Sequence, residues 1–549
     1  MQSTKVLSVL MCVMGMFFAD VTATSIAMVG SAADSQVSGT IKKWHTITIS
    51  FDGSGTGTDE MADDLNPFDV ELQCRFTHTK GDSIVVPGFY NGHNEWLVRF
   101  TPNSEGTWKY TSRSSIVEMD GISSTIEVVG NDLNNHGAIQ ICEDDPRTLC
   151  YEDGTPYHLL AFETDWLFAL DYGNPELPKT KQLINTLAEN GFNQIVMNVY
   201  AFDASWPKDP DLLPEYNYGG RLDIFPFLGN NETPDYSALN IDFFKHLDGV
   251  IELLAEKQIV AHLMIYVWNK KVSWPETNSE ADNRYFDYVV KRYQAYPNII
   301  WDISKEALGY GHTDIHYISN RIDRLNALDG HDRLVTVHDY GYCSRFPDKV
   351  DFISVQSWKT YLHGIMMNMA AKFPEKPIFN IEHGGYEAGP YRVFPGDLDD
   401  SVACLRRNYA CVFAGVYSTH YWQDAAWYTV IHDIFENDLT PKPKLYYYKH
   451  LSEFLDRIKF NELTATQGNC TSGVCLRNKE KGVYVFYISQ DNHSIYVQNL
   501  PEADSINITW FNPLTGDYSE VEQRRWSENT RVYKKYSGQD DIAILKLIK

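Results

Sequence analysis

The stretch Asn298-Ile299-Ile300-Trp301-Asp302-Ile303-Ser304-Lys305-Glu306 decides how this chain is read. Pro297 precedes it, and Ile299, Ile300, Trp301 and Ile303 make a short apolar run, the pattern of a strand buried on both faces. Glu306 falls just past the end of that run. In a barrel of parallel strands the carboxyl ends form the functional face, so an acid at that position is a candidate for chemistry. Lys376-Pro377-Ile378-Phe379-Asn380-Ile381-Glu382-His383-Gly384-Gly385 repeats the grammar, with a short apolar strand that ends in Glu382 and breaks at two glycines.

Outward from these two strands, residues 157 to about 450 alternate strand and helix patterns. HLLAFET (158–164), NQIVMNVY (193–200), IVAHLMIYV (259–267), NIIWDIS (298–304), RLVTV (333–337), DFISV (351–355), PIFNI (377–381) and FAGVYST (413–419) read as strands. Amphipathic segments such as KQLINTLAENGF (181–192), stopped by Gly191, and IDFFKHLDGVIELLAEKQ (241–258) separate them. Eight such units predict a (β/α)8 barrel over 150–450, and the dinucleotide fingerprint of a doubly wound sheet is missing.

Residues 36–133 alternate apolar and polar positions between turn signals: HTITISF, DVELQCRF, EWLVRF, GTWKY and STIEVV. They predict an N-terminal antiparallel β-sandwich. The polar, turn-rich segment 131–153 makes a boundary. From 455 to 549 helix signals fade, and GVCLRN, GVYVFYIS, HSIYVQNL, SINITWFNP and IAILKLI predict a C-terminal β-sandwich. The expected architecture is therefore α/β, a TIM barrel flanked by two sandwiches.

Composition narrows the partners. The 549 residues include 73 acidic and 47 basic side chains, a formal charge of −26, which argues against a nucleic-acid partner and its need for Lys and Arg stripes. Aromatic residues make up 13% of the chain, a level that suits sugar-binding faces as well as an aromatic core. Lys5 followed by the apolar run Val6–Ala19 and small residues near Ala23 and Ala33 reads as a secretory signal over 1–33, too short for a membrane span. The VLMC context of Cys12 lacks the small residue expected before a lipidated cysteine. The expected location is secreted, periplasmic or cell-surface, with no membrane span in the mature chain.

Eight cysteines follow the leader. Cys142 with Cys150 and Cys470 with Cys475 are spaced for local disulfides, whereas Cys404 and Cys411 lie on one helix roughly 10 Å apart, too far to bridge. Neither arrangement has the ligand spacing of a zinc site, and no metal or cofactor is expected. Acceptor triplets for N-glycosylation begin at Asn231, Asn469, Asn492 and Asn507.

Two strand-end carboxylates point to glycosidic-bond hydrolysis, in which one carboxyl attacks the anomeric carbon and the other protonates the leaving oxygen. In this respect the chain resembles the clan A glycoside hydrolases, which carry glutamates at the ends of strands four and seven. The flanking text resembles the apiosidase-like barrels within that clan. The N-terminal sandwich is similar to the module that precedes such barrels, and GVCLRN, GVYVFY and TWFNPLTG (509–516) are similar to the collagen-binding-type domain that follows them. The resemblance implies that Glu306 is the general acid/base, Glu382 the nucleophile and Trp422 the aromatic platform under the sugar. It implies an exported, metal-independent retaining hydrolase acting on a polysaccharide or oligosaccharide of plant or algal origin.

One position departs from the clan's pattern. The residue before the acid/base is usually Asn, which binds the sugar 2-hydroxyl; here it is Lys305. A cation there favours the ionised form of a group whose role requires a proton. Lys305 could donate to a hydroxyl, pair with an acidic sugar or with Glu382, or leave the site silent. Asn198, Asn269 and Asn380 are further candidates for the hydroxyl contact. Gln356, Trp358 and His383, all near strand ends, are candidates for shaping the pocket. Glu163 and Asp165, closing the first strand, read equally as sugar ligands or as caps of the next helix. The alternatives to an enzyme are a silent carbohydrate-binding protein and a cell-surface adhesion protein whose sandwiches are the working parts.

Overall fold

The computed structural model describes residues 41–53, 65–204, 219–387, 398–422 and 441–549. The expected leader, 1–33, lies outside them. Eight parallel strands form one sheet: Leu160–Glu163, Gln194–Asn198, Val260–Val267, Ile299–Lys305, Val335–His338, Ile353–Gln356, Ile378–Glu382 and Tyr417–Tyr421. They are called barrel strands one to eight below. The first strand pairs with both the second and the eighth. Between strands five and six the wall closes through Asp351 N donating to Val335 O (2.9 Å) and the Thr336 and Ser354 hydroxyls (3.0 Å). Every residue of strand three is buried, as a strand covered by helices outside and side chains inside requires.

The helices start where capping chemistry allows. Asn240, Ser279 and Asp314 accept from backbone N–H groups two or three residues on, at the starts of Ile241–Glu256, Glu280–Tyr293 and Ile315–Leu328. Pro178 opens Pro178–Glu189, and Gly191 at φ 83° follows its end. Strand eight departs from expectation. Phe413 to Gly415 are the exit of helix Ser401–Val412, with Gly415 at φ 75°, so the strand begins only at Tyr417. An apolar run of that length does not separate a helix end from a strand start.

The barrel interior carries a polar thread. Gln194 Nε2 lies 3.2 Å from His262 Nδ1, whose Nε2 lies 3.0 Å from Asp302 Oδ2. Asp302 Oδ1 in turn accepts from the backbone of Ser304 (3.1 Å) and His338 (2.8 Å), which places a rigid acceptor just under the mouth.

The N-terminal part forms a five-stranded and a three-stranded sheet around a separate apolar core that includes Phe76, Trp96, Phe100 and Trp108. It is locked to the barrel by charge. Arg99 and Arg292 each donate to Asp248 Oδ2 at 2.6 Å, and Arg99 Nη1 donates to Arg292 O at 2.8 Å. Segment 131–153, expected as a boundary, instead supplies strands Ile139–Ile141 and Leu149–Tyr151 to a three-stranded sheet whose Leu149 joins the barrel core. The C-terminal part is a six-stranded sheet and a two-stranded ribbon. Its Phe511 stacks on Phe454 of helix Tyr446–Ile458 at 4.7 Å.

All eight described cysteines are free thiols, including the two pairs expected to bridge. Cys150 faces Gln140 across the ladder, so Cys142 is diagonal to it rather than opposite. Among the described residues no helix is long and apolar enough to cross a membrane.

Candidate active site

Two backbone irregularities build the mouth. Between strands four and five the register steps from Asp302↔Thr336 to Lys305↔His338, so strand four holds one extra residue, a bulge. Simple alternation from inward-facing Asp302 would turn Lys305 outward; the bulge turns it in. Strand seven repeats the device: Val355↔Asn380 is followed by Gln356↔Glu382, and Glu382 faces inward beside Gln356. Assigned with its nitrogen toward the Glu382 and Val355 carbonyls, 3.1 and 2.8 Å away, the Asn380 amide satisfies both carbonyls and braces this second bulge.

Glu306 follows strand four at φ 60°, with its N–H donating to His338 O at 3.0 Å. Gln356 Nε2 donates to Glu306 Oε1 (2.9 Å) and to Glu382 Oε1 (2.8 Å), and so ties the two carboxyls together. Asn269 Nδ2 donates to Glu306 Oε2 at 2.6 Å. One atom each from Glu306, Glu382 and His338 lie within 4.8 Å of one another. Two carboxyls this close can act on one bond together, without the ~6.5–9.5 Å gap that leaves room for an intervening water.

Beneath the pair lies a buried charge cluster. Lys305 Nζ donates to Glu163 Oε1 at 2.6 Å and lies 3.3 Å from both Asp165 Oδ1 and Glu382 Oε2. Lys270 Nζ lies 3.3 Å from Asp165 Oδ2. Burial pushes the Glu163 carboxyl well above the usual range; Lys305 opposes this, while Glu382 and Asp165 add to it. Burial would also raise Asp165, but Lys305 and Lys270 outweigh it and hold that carboxyl below the ordinary value. Burial would lower Lys305, yet the surrounding carboxylates, Asp165 and Glu163 foremost, hold its ammonium well above the lysine range. Glu382 is raised by burial and by Glu306, with Lys305 pulling the other way. His338 is held well below the usual imidazole value by burial, Lys305 and His262, which favours its neutral form.

Glu306, His338 and Glu382 are the described residues whose donors converge closely enough to suggest a cation site. The fit is poor. The Lys305 ammonium stands 3.3 Å from the Glu382 oxygen that also faces His338, and the Gln356 amide occupies one oxygen of each carboxylate.

The structure thus brings together Glu306, Glu382, Lys305 and Gln356, with Asn269 on the rim. Lys305, expected to touch substrate, is 1% exposed beneath the carboxylates, and a sugar would reach it only by displacing one of them. Asn198, the last residue of strand two, is fully buried and donates to the Asp165 carbonyl at 3.1 Å. Glu163 and Asp165 are neither exposed ligands nor helix caps; both are fully buried and hold lysines. Trp358 is partly exposed and meets Tyr421 edge-on at 5.9 Å. Trp422, expected as the platform, is 3% exposed, with its backbone bridged to Tyr386. The segment after it, 423–440, lies outside the described residues. His383 is buried, and its carbonyl accepts from Arg407 Nε at 2.6 Å. Sequence reasoning missed His338 and Lys270. His338 ends strand five as Glu306 and Glu382 follow or end theirs, so the strand-end rule applied to every strand would have found it.

The family model for the apiosidase-like catalytic domain matches residues 143–433, more than half of the chain. A second, described as a domain of unknown function (DUF5060), matches residues 40–115 in the N-terminal strand-rich part. No curated protein sequence matches the chain. Among solved structures, a protein described as a glycoside hydrolase from Bacteroides vulgatus superposes with a TM-score of 0.73 at 18% identity, covering 92% of this chain and 100% of its own. Another glycoside hydrolase gives 0.56 at 17% identity, over 75% of this chain and 97% of its own. A family 5 glycoside hydrolase from Bacteroides vulgatus gives 0.54 at 16%, over 75% and 94%. Identities this low establish a shared fold.

Proposed function

The chain belongs to the apiosidase-like family, and from that premise we propose that it is an exported retaining glycoside hydrolase acting on a plant or algal polysaccharide. The observation that carries this reading is the pair Glu306 and Glu382 at the mouth ends of strands four and seven, within 4.8 Å and bridged by Gln356. A closest approach within 4.8 Å supports the ~5–5.5 Å class of double-displacement enzymes over the wider one. Glu382, ionised, attacks the anomeric carbon. The glycosidic C–O bond breaks, and its electron pair passes to the leaving oxygen, which takes a proton from Glu306. The resulting glycosyl ester on Glu382 is opened by water whose proton returns to Glu306, restoring both groups. The apolar run Val6–Ala19 behind Lys5 supports export.

A panel of plant and algal glycans, with mass analysis of products, tests the reading. A substrate that is cleaved should first yield the anomer of unchanged configuration by NMR. On that substrate Glu382→Ala should lose on the order of 10⁴-fold or more in kcat. Glu306→Ala should lose about 10²–10⁴-fold. Unchanged hydrolysis by Glu382→Ala removes its assigned role. Glycan retained without product by the native chain moves the reading to a silent binder.

A further inference from the structure

The residue before Glu306 is a lysine, and its ammonium does not face the sugar. It crosses the barrel from strand four to Glu163 of strand one and Asp165 just after it, and its remaining reach is toward Glu382 of strand seven, 3.3 Å away. Each of these contacts depends on the strand-four bulge, because without the extra residue Lys305 would point into the helical shell.

Among the described residues the charged groups facing Glu382 fall into two sets, with the titratable Tyr310 hydroxyl also in its field. Lys305 and Lys270 are cations; Glu306, Asp165 and Glu163 are acids. His338 of strand five stands 3.8 Å from Glu382 Oε2, and Gln356 of strand six donates to the other oxygen. His420 of strand eight turns away to the Tyr448 hydroxyl at 2.6 Å. Strand two brings Asn198, which carries no charge. Lys305 is therefore the cation within ion-pair distance of Glu382 among the described residues.

We propose that Lys305 is a positioning residue for Glu382: anchored by Glu163 and Asp165, its ammonium offsets the burial of the Glu382 carboxylate and holds it aimed at the mouth. Lysine in place of the clan's asparagine is then compatible with activity, since its charge acts on Asp165, Glu163 and the nucleophile ahead of the acid it adjoins in sequence. The Glu306 carboxyl is oriented instead by Asn269 and Gln356. The buried acids are the anchor of the device: their hold on Nζ sets where the cation stands, as a fixed second layer sets a site's geometry.

The inference rests on Glu306 and Glu382 being the catalytic pair, and its test needs no substrate. Carbon NMR of the full chain carrying carboxyl-labelled glutamate, with Glu382→Gln to assign the signal, reads the pH midpoint of Glu382 directly. Lys305→Met should raise that midpoint by about one pH unit or more, the size of effect an adjacent opposite charge exerts. Lys305→Arg, which keeps the cation, should leave it close to the native value. Lys305→Gln, polar but uncharged, should raise it as Met does and serves if the Met variant does not fold. A midpoint unmoved in a folded neutral variant overturns the proposal. On any glycan the native chain cleaves, the acid limb of kcat/KM should move by the same amount. A shifted midpoint in a protein that cleaves no glycan separates failure of the proposed function from failure of this inference.

Discussion

Glu306 sits at φ 60°, a conformation that costs a non-glycine residue about 1–2 kcal/mol. Its N–H bond to His338 O and its carbonyl's acceptance from Tyr310 N (3.2 Å) hold it there. Strain at such a position is maintained by the surroundings and is common where a side chain must be aimed. Glu306→Gly should therefore be more stable than Glu306→Ala by about 1 kcal/mol, although both lack the acid. Paired thermal melts check this, and equal melting temperatures would show that the backbone carries no strain. The strand-end placement of the two glutamates was legible from the residues alone, because each stands at the close of a short apolar run. The roles of Glu163, Asp165 and Lys305 were not, because a local reading cannot distinguish an acid at a strand end that meets solvent from one that meets a lysine 142 positions away.

Strands and helices were largely readable, since hydrophobic period and capping residues are local properties. The bulges in strands four and seven were not. Nothing in IIWDISK or IFNIE marks the extra residue; it exists only relative to the neighbouring strand's register. The end of strand seven is also tied to strand eight, with Tyr386 N donating to Tyr421 O at 2.8 Å. A side chain on Gly385 would collide with that same carbonyl. Gly385→Ala should cost about 1–3 kcal/mol in urea unfolding. Gly364, inside helix Leu362–Lys372, has nothing within 4 Å of an added Cβ, so Gly364→Ala should stabilise by about 0.5–1 kcal/mol. If the two changes have the same sign, the close approach of strands seven and eight is not what restrains that loop.

Across the whole molecule, the N-terminal sheets and the barrel share the buried group Arg99, Asp248 and Arg292. Burial alone would push the Asp248 carboxyl up; Arg292 and Arg99 outweigh it and hold it below the usual value. A carboxyl lowered on folding contributes stability that is complete above its unfolded pKa of about 3.9 and is lost as pH falls through the folded one. Asp248→Asn strands two buried guanidinium groups and should cost about 3–5 kcal/mol near neutral pH. It should also flatten the acid limb of stability below the ordinary carboxylate range. Urea midpoints for both chains from neutral to acid pH check it, and an unaltered limb would mean that other carboxylates govern acid unfolding. The order of amino acids was enough to establish a strand-and-helix barrel between strand-rich ends, and a glutamate at the end of each of two barrel strands, because apolar spacing and turn chemistry act over a few residues. Only the folded chain decided that Lys305 looks inward, that Glu163 and Asp165 are buried to receive it, and that Gln356 joins the carboxyls. Those facts depend on inter-strand register and on charges that meet across the barrel, and neither is a property of any short segment.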